Sequence, residues 1–88
     1  MLKCTFTSPL EKHEESGITG IFLRTVEGDI GILRDHIPIV TALKAGSHVR
    51  LKKDIGELRF RIGENSFFKF DQNEGFILTG SYSLENDY

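Results

Sequence analysis

The feature of this sequence that most limits its fold is the alternation of apolar and polar residues with a period of two. At the start of the chain, Leu2, Cys4 and Phe6 share one parity, with polar Lys3 and Thr5 between them. Such alternation is typical of strands that are buried on one face. Nine glycines between positions 17 and 80 interrupt almost every stretch that could sustain three helical turns. The sequence therefore predicts an all-β fold.

The same pattern predicts where the strands and turns lie. Strands are expected at 2–7, 18–26 and 30–33, in a hairpin around a turn at 54–56, through Phe68 and Phe70, and at 76–79 as the last strand. The polar stretch 11–17 is expected to be an exposed connection, and 71–75 a turn. Gly31 inside an apolar strand predicts a bulge or a close approach by another backbone. Short strands spaced by roughly 8–12 residues predict a small β-sandwich or flattened barrel, mostly antiparallel, in one domain over 1–88.

Length and charge exclude several classes of protein. The chain has 88 residues, of which 39% are hydrophobic, and this is enough for one core. Lys and Arg number 11 against 13 Asp and Glu, so a strongly cationic nucleic-acid binder is not expected. No run of about 18 apolar residues is present to span a membrane, and the first residues lack the apolar core of a secretory signal. We expect an intracellular protein.

Residues that could carry chemistry do not form a recognisable site. The single Cys4 excludes an internal disulfide, and its parity predicts a buried structural thiol. His13, His36 and His48 lack the spacing of zinc ligands, and 71–75 lacks the full pattern of a calcium loop. No glycine-rich phosphate loop is present. The sequence predicts no catalytic residue, no metal and no cofactor, so its function is expected to lie in a binding surface.

One candidate surface is the basic outer face of the predicted hairpin. This face carries five cations, namely Arg50, Lys52, Lys53, Arg59 and Arg61. A solvated sheet face that resists aggregation explains it better than a dedicated anion site does. The alternative function that it leaves open is a free-standing interaction module that binds an acidic ligand through Arg50, Lys52, Arg59 and Arg61.

The other candidate surface is the apolar segment from Gly28 to Gly46. Ile30 and Ile32 are explained by a core strand, but further aliphatic residues follow closely around Pro38. We expect part of this apolar surface to contact a partner protein.

The same segment resembles a known family. It reads Glu27-Gly28-Asp29-Ile30-Gly31-Ile32-Leu33, then Arg34-Asp35-His36-Ile37-Pro38, then Ile39-Val40-Thr41-Ala42-Leu43-Lys44-Ala45-Gly46. In order and spacing these residues resemble the glycine loop and His-x-Pro region of the epsilon subunit of F-type ATP synthases, and the flanking strands match from Leu2 to Leu84. Asp35 stands where that family usually has Gly, Ile37 replaces a small Ala, and Gly63-Glu64-Asn65 replaces Gly-Gly.

The resemblance implies a non-catalytic rotor subunit at the foot of the central stalk. There, the gamma and epsilon subunits transmit rotation of the membrane c-ring, driven by proton or sodium flow, to ATP synthesis. The resemblance implies a c-ring contact through Glu27, Gly28, Asp29, Arg34, Asp35 and His36. It implies a gamma contact through Pro38, Ile39, Val40, Thr41 and Leu43. The expected location is peripheral, on the cytoplasmic face of the bacterial inner membrane.

The end of the sequence differs from the family pattern. Relatives continue into a C-terminal helical hairpin that can extend into the catalytic head and block ATP hydrolysis. Here residues 83–88 reach the entrance of that hairpin and stop. The expectation is a chain that lacks the hairpin and this form of inhibition.

Overall fold

A computed structural model describes residues 1–87 of the chain, with side chains as far as Glu85, and Tyr88 lies outside the described residues. The described part is all-β, as predicted. Its nine strands are β1 (Leu2–Thr7), β2 (Lys12–Thr25), β3 (Gly28–Ile32), β4 (Ile39–Ala42), β5 (His48–Lys53), β6 (Glu57–Ile62), β7 (Phe67–Asp71), β8 (Glu74–Leu78) and β9 (Tyr82–Asp87). No helix in residues 1–87 is long and apolar enough to cross a membrane.

The strands form one folded-over sheet with the order β4-β7-β8-β1-β2-β5-β6-β9, and β3 pairs with β2. Within the described strands, β1 and β8 are parallel and the other pairs are antiparallel. The long strand β2 belongs to both layers: its first half pairs with β1, and its second half pairs with β3 and β5. Gly17, at a φ of 67°, and adjacent register shifts let β2 bend between the layers.

Contacts across the interior establish the sandwich. The rings of Phe6 on β1 and Phe60 on β6 have centroids 4.4 Å apart, although β6 is three places from β1 in the sheet. Three places would separate two strands of a flat sheet by about 14 Å. The sheet therefore closes on itself around the core, and the predicted sandwich is confirmed.

The predicted parity of the core is also confirmed. Cys4 is fully buried, and so are Phe6, Phe68 and Phe70. The buried apolar side chains come from both layers and are Leu2, Cys4, Phe6, Ile18, Ile21, Leu23, Ile32, Leu43, Val49, Leu51, Phe60, Ile62, Phe68, Phe70 and Ile77.

Two predicted boundaries are wrong. The stretch 11–17 is not an exposed connection, since Lys12 begins β2 and its polar residues pair with β1. It has the period of a strand, but the inward positions carry the polar residues His13 and Glu15, whose side chains contact each other at 2.6 Å. Polar residues at inward positions conceal the apolar alternation that marks a strand. Residues 76–79 do not form the last strand, because β9 follows and pairs with β6. Its apolar residues, Tyr82 and Leu84, were too few to reveal it.

Local backbone conformations explain three further features. Gly31 lies in a regular stretch of β3, and what approaches it is the ring of Phe22, not a bulge or another backbone. Asp35, in place of the usual Gly, has a φ of 66°, which Asp tolerates better than most residues. The predicted turn at 71–75 is tighter than expected, because Gln72 and Asn73 alone connect β7 to β8 with φ values of 49° and 62°.

Candidate docking surface and loop sites

An apolar surface lies on the outer face of the layer formed by β4, β7, β8 and β1. Val40, Phe67, Phe76 and Leu78 are 73%, 51%, 38% and 56% exposed. The register makes them neighbours, since Phe67 lies opposite Leu78, and Lys69 lies between Val40 and Phe76. We call these four apolar residues the apolar face. Exposed apolar patches on small proteins commonly mark sites of protein association.

The apolar face arises because β7 and β8 carry large apolar side chains on both sides. Phe68, Phe70 and Ile77 point into the core, while Phe67 and Phe76 have the opposite parity. A strand whose two faces are both apolar is expected to be covered on both sides. The sequence carries this signal in the consecutive apolar residues Phe67-Phe68 and Phe76-Ile77-Leu78, although the alternation within 68–70 predicts only the inner face.

The five residues expected to contact gamma do not share one surface. Val40 points outward from β4 and belongs to the apolar face, and Pro38 is exposed beside it. Ile39 and Thr41 are half-buried because they have the inward parity of the strand. Leu43 is only 5% exposed and packs in the core, so its side chain is not part of the surface.

The first half of the expected c-ring contact is the turn between β2 and β3. The Oγ1 atom of Thr25 accepts the Glu27 N–H at 3.1 Å and donates to the Gly28 carbonyl at 2.7 Å. The Nε of Arg24 donates to Asp29 at 3.0 Å. Glu27 is exposed at the tip, and none of the ion pairs among the described residues includes it. The turn therefore presents one paired carboxylate and one solvated carboxylate.

The second half is the loop that follows β3, and it is tied to the turn between β7 and β8. The Asp35 N–H donates to Oδ1 of Asn73 at 2.7 Å, and the Asn73 amide donates back to Asp35 at 3.2 Å. Nδ1 of His36 lies 2.6 Å from the Ile37 carbonyl, and its ring meets Phe70 edge-on at 6.0 Å. Arg34 is exposed, with Nε 3.9 Å from Asp35. This loop is held in place by local hydrogen bonds.

The structure does not bring the two halves together. Gly28 and Ile32 are the first and last residues of β3, so the turn and the loop flank this strand at opposite ends. Five residues of strand span about 13 Å. The turn adjoins Lys44, whose N–H donates to the Arg24 carbonyl, whereas the loop adjoins Asn73. The residues 27–29 and 34–36 expected at the c-ring therefore form two separate surfaces in this fold.

The basic hairpin face is largely neutralised by neighbouring carboxylates. Arg61 and His48 share Glu85, at 3.2 Å and 2.6 Å, and Arg50 lies 3.5 Å from Glu57. Lys53 does not belong to the outer face, since it has the parity of buried Val49 and Leu51 and points to Glu15 at 2.7 Å. Hydrogen bonds from His48 and Arg61 lower the pKa of Glu85. Most of this face is thus a network of surface ion pairs, in line with a solvated sheet face.

The fold and surface define a small β-sandwich domain with an exposed apolar face on β4, β7 and β8. Residues 1–83 match the family described as ATP synthase, Delta/Epsilon chain, beta-sandwich domain. The chain belongs to this family, and the resemblance seen in the sequence is confirmed.

Curated relatives agree with this assignment. The chain is 29% identical to the sodium ion specific ATP synthase epsilon chain of Propionigenium modestum over 76 residues, which cover 86% of this chain and 54% of the relative. It is 37% identical to the ATP synthase epsilon chain of Mycobacterium marinum over 70 residues, covering 78% and 57%. The chain spans about half the length of these relatives.

Solved structures share the fold. A chain of the Euglena gracilis mitochondrial ATP synthase superposes with a TM-score of 0.81 at 23% identity, over 92% of this chain and 51% of that one. A chain of the Tetrahymena thermophila mitochondrial ATP synthase central stalk and c-ring superposes with a TM-score of 0.74 at 13% identity, over 93% and 65%.

Proposed function

We propose that this chain is a non-catalytic central-stalk subunit of an F-type ATP synthase, which helps to transmit c-ring rotation through the gamma subunit to ATP synthesis. The observation that carries the proposal is the combination of family membership over 1–83 with an exposed apolar sheet face. A rotor component needs a rigid body and docking surfaces. Through the complex it would sit at the membrane, on the cytoplasmic face of a bacterial inner membrane.

The apolar face is the proposed contact with gamma. Phe67, Phe76 and Leu78 extend the predicted contact at Pro38 and Val40 across three adjacent strands. Side chains on paired strands present a broad and rigid surface, which loses little conformational entropy on binding. Ile39, Thr41 and Leu43 support this surface from beneath or within the core.

The turn at Glu27, Gly28 and Asp29 is the proposed contact with the c-ring. Its two carboxylates lie at the exposed end of a tight hairpin, where they can meet a basic loop. Arg24 already pairs with Asp29, so Glu27 supplies the carboxylate that is unpaired among the described residues. The loop at Arg34, Asp35 and His36 is the second proposed contact. The turn and this loop could contact the c-ring at the same time only if the surface of the ring extends along the length of β3.

Two experiments test this function. Co-expression with the gamma subunit of the same organism is expected to give a stable one-to-one complex on a sizing column, and failure to bind folded gamma would overturn the proposed role.

Charge reversal tests separately the two proposed c-ring contacts at the two ends of β3. Glu27→Lys with Asp29→Lys is expected to weaken ATP-driven proton pumping by the reconstituted enzyme, with Asp35→Lys tested beside it. Unchanged pumping in both would rule out the c-ring contact.

A further inference from the structure

Two arginines of like charge face each other on the outer surface of the second layer. Arg50 on β5 and Arg59 on β6 are direct cross-strand partners. Like charges in this position destabilise a sheet unless something compensates for them. Both residues line a groove of about 520 Å³, together with Phe22, Arg24, Ser47 and His48.

Arg50 is fixed in place by its neighbours. Its guanidinium carbon lies 5.2 Å above the centre of the Phe22 ring, and Nη1 lies 3.5 Å from Glu57. Phe22 itself lies flat on the sheet, because Gly20 and Gly31 on either side leave no Cβ in its way. This stacking orients one guanidinium before any ligand arrives.

Arg59 has a donor, Nε, that no described residue uses. Its Nε is buried and has no hydrogen-bond partner among the described residues. None of the ion pairs among those residues includes Arg59. A buried donor without an acceptor lowers the stability of the fold, and a hydrogen bond to an anion or a water molecule would remove this penalty.

The other charges around the groove are already matched. Arg24 binds Asp29, and the ring of His48 binds Glu85. Glu85 also forms a salt bridge with Arg61. Glu57 is the carboxylate beside Arg50, and it stands 3.5 Å away. The excess positive charge of the groove is therefore centred on the pair Arg50 and Arg59.

We propose that Arg50 and Arg59 form a binding site for a phosphate group. Two planar guanidinium forks can each bind two oxygens of one tetrahedral dianion, whereas a single carboxylate fills only one fork. Binding also removes the repulsion between the two cations. This site is separate from the apolar face and from the loop that follows β3, although its groove reaches Arg24 and Asp29 beside the turn that precedes β3. It does not depend on the proposed rotor function.

The test follows the arginine side-chain Nε–Hε signals and the backbone amides by NMR while the 88-residue protein is titrated with sodium phosphate. Sodium chloride holds the ionic strength constant. Saturable shifts of the Arg59 and Arg50 signals are expected, with a dissociation constant of the order of 1 mM or lower. Pyrophosphate in a parallel titration shows whether a free or a linked phosphate group is preferred.

Variants identify the residues responsible. Arg59→Gln is expected to weaken binding about tenfold or more, and Arg59→Lys only in part, because it keeps the charge but loses the fork. Lys12→Gln, which removes one exposed charge from the other layer, is the matched control and is expected to bind as the wild type does. Backbone amide spectra check that each variant is folded.

Three outcomes would overturn the proposal. The first is a response to chloride equal to that for phosphate, which indicates screening alone. The second is unchanged binding in folded Arg59→Gln. The third is binding of a glutamate-rich peptide with no response to phosphate, which would make the groove a protein contact.

Discussion

The ammonium group of Lys53 lies 2.7 Å from one carboxylate oxygen of Glu15, and the ring of His13 lies 2.6 Å from the other. Lys53 ends β5, whereas Glu15 and His13 belong to the first half of β2, so the bridge connects the two layers at the open side of the sandwich. Burial raises the pKa of Glu15, but hydrogen bonds and charge from Lys53 and His13 outweigh this and lower its pKa below the ordinary value.

This lowered pKa predicts a loss of stability in acid. A carboxylate whose pKa is lower in the folded state stabilises the fold at pH values above its unfolded pKa. That contribution disappears as the pH falls through the folded pKa. Glu15→Gln is expected to flatten the decline of the melting temperature between about pH 6 and pH 3. Glu85 also has a lowered pKa, so part of the decline remains.

The matched control for this prediction is Glu14→Gln. Glu14 is exposed on the other face of β2, and its nearest cation, Lys3, lies 4.0 Å away. Thermal unfolding followed by circular dichroism at several pH values measures all three proteins. Equal slopes in wild type and Glu15→Gln would show that the bridge does not contribute.

Cys4 is predicted to be chemically silent in the folded protein. Burial, with a smaller effect from the charge of Glu15, raises the pKa of its thiol to about 12. Only the thiolate reacts readily with disulfide reagents. Labelling is expected to require unfolding, so its rate in water should follow the unfolding equilibrium and rise steeply with urea. Rapid, urea-independent labelling would contradict this placement.

Gly20→Ala is predicted to destabilise the protein through the ring of Phe22. A Cβ at this position would lie 2.9 Å from the ring, which must then move from its place on the sheet. We expect a cost of about 1–3 kcal/mol. In a Phe22→Leu background the same change should cost clearly less, since the ring is gone. Urea unfolding of the four proteins measures the coupling, and additive effects would refute it.

Much of the fold could be predicted because, in most strands, the large apolar residues occupy alternate positions and so lie on one face. Where Leu, Ile and Phe alternate with polar residues, as at Leu2, Cys4 and Phe6, the inward face was identified correctly. The prediction failed where polar residues face inward. His13 and Glu15 satisfy each other and Lys53, and only the folded chain brings Lys53 to them. A pairing between distant strands leaves no periodic signal in the sequence.

The candidate surfaces were less predictable than the core, since they depend on which strands become neighbours. Val40 is distant in sequence from Phe67 and Phe76, but it lies beside them because β4 pairs with β7. Similarly, Glu27 and His36 are close in sequence but flank the two ends of β3. The sequence predicts that Leu43 is one more exposed aliphatic residue. It lies in the core instead, because its backbone pairs with Thr25 in an isolated β-bridge.

If the apolar face binds gamma, Phe67→Asp is expected to lower the affinity of this chain for gamma. Ile55→Asp is the matched control, because Ile55 is 91% exposed on the turn between β5 and β6. Both variants place one carboxylate on an exposed apolar position and are expected to fold. Loss of one buried aromatic side chain should weaken binding by about 2 kcal/mol, or ~30-fold. We expect this loss for Phe67→Asp and wild-type affinity for Ile55→Asp. Equal affinities for gamma in all three proteins would show that gamma does not bind the apolar face.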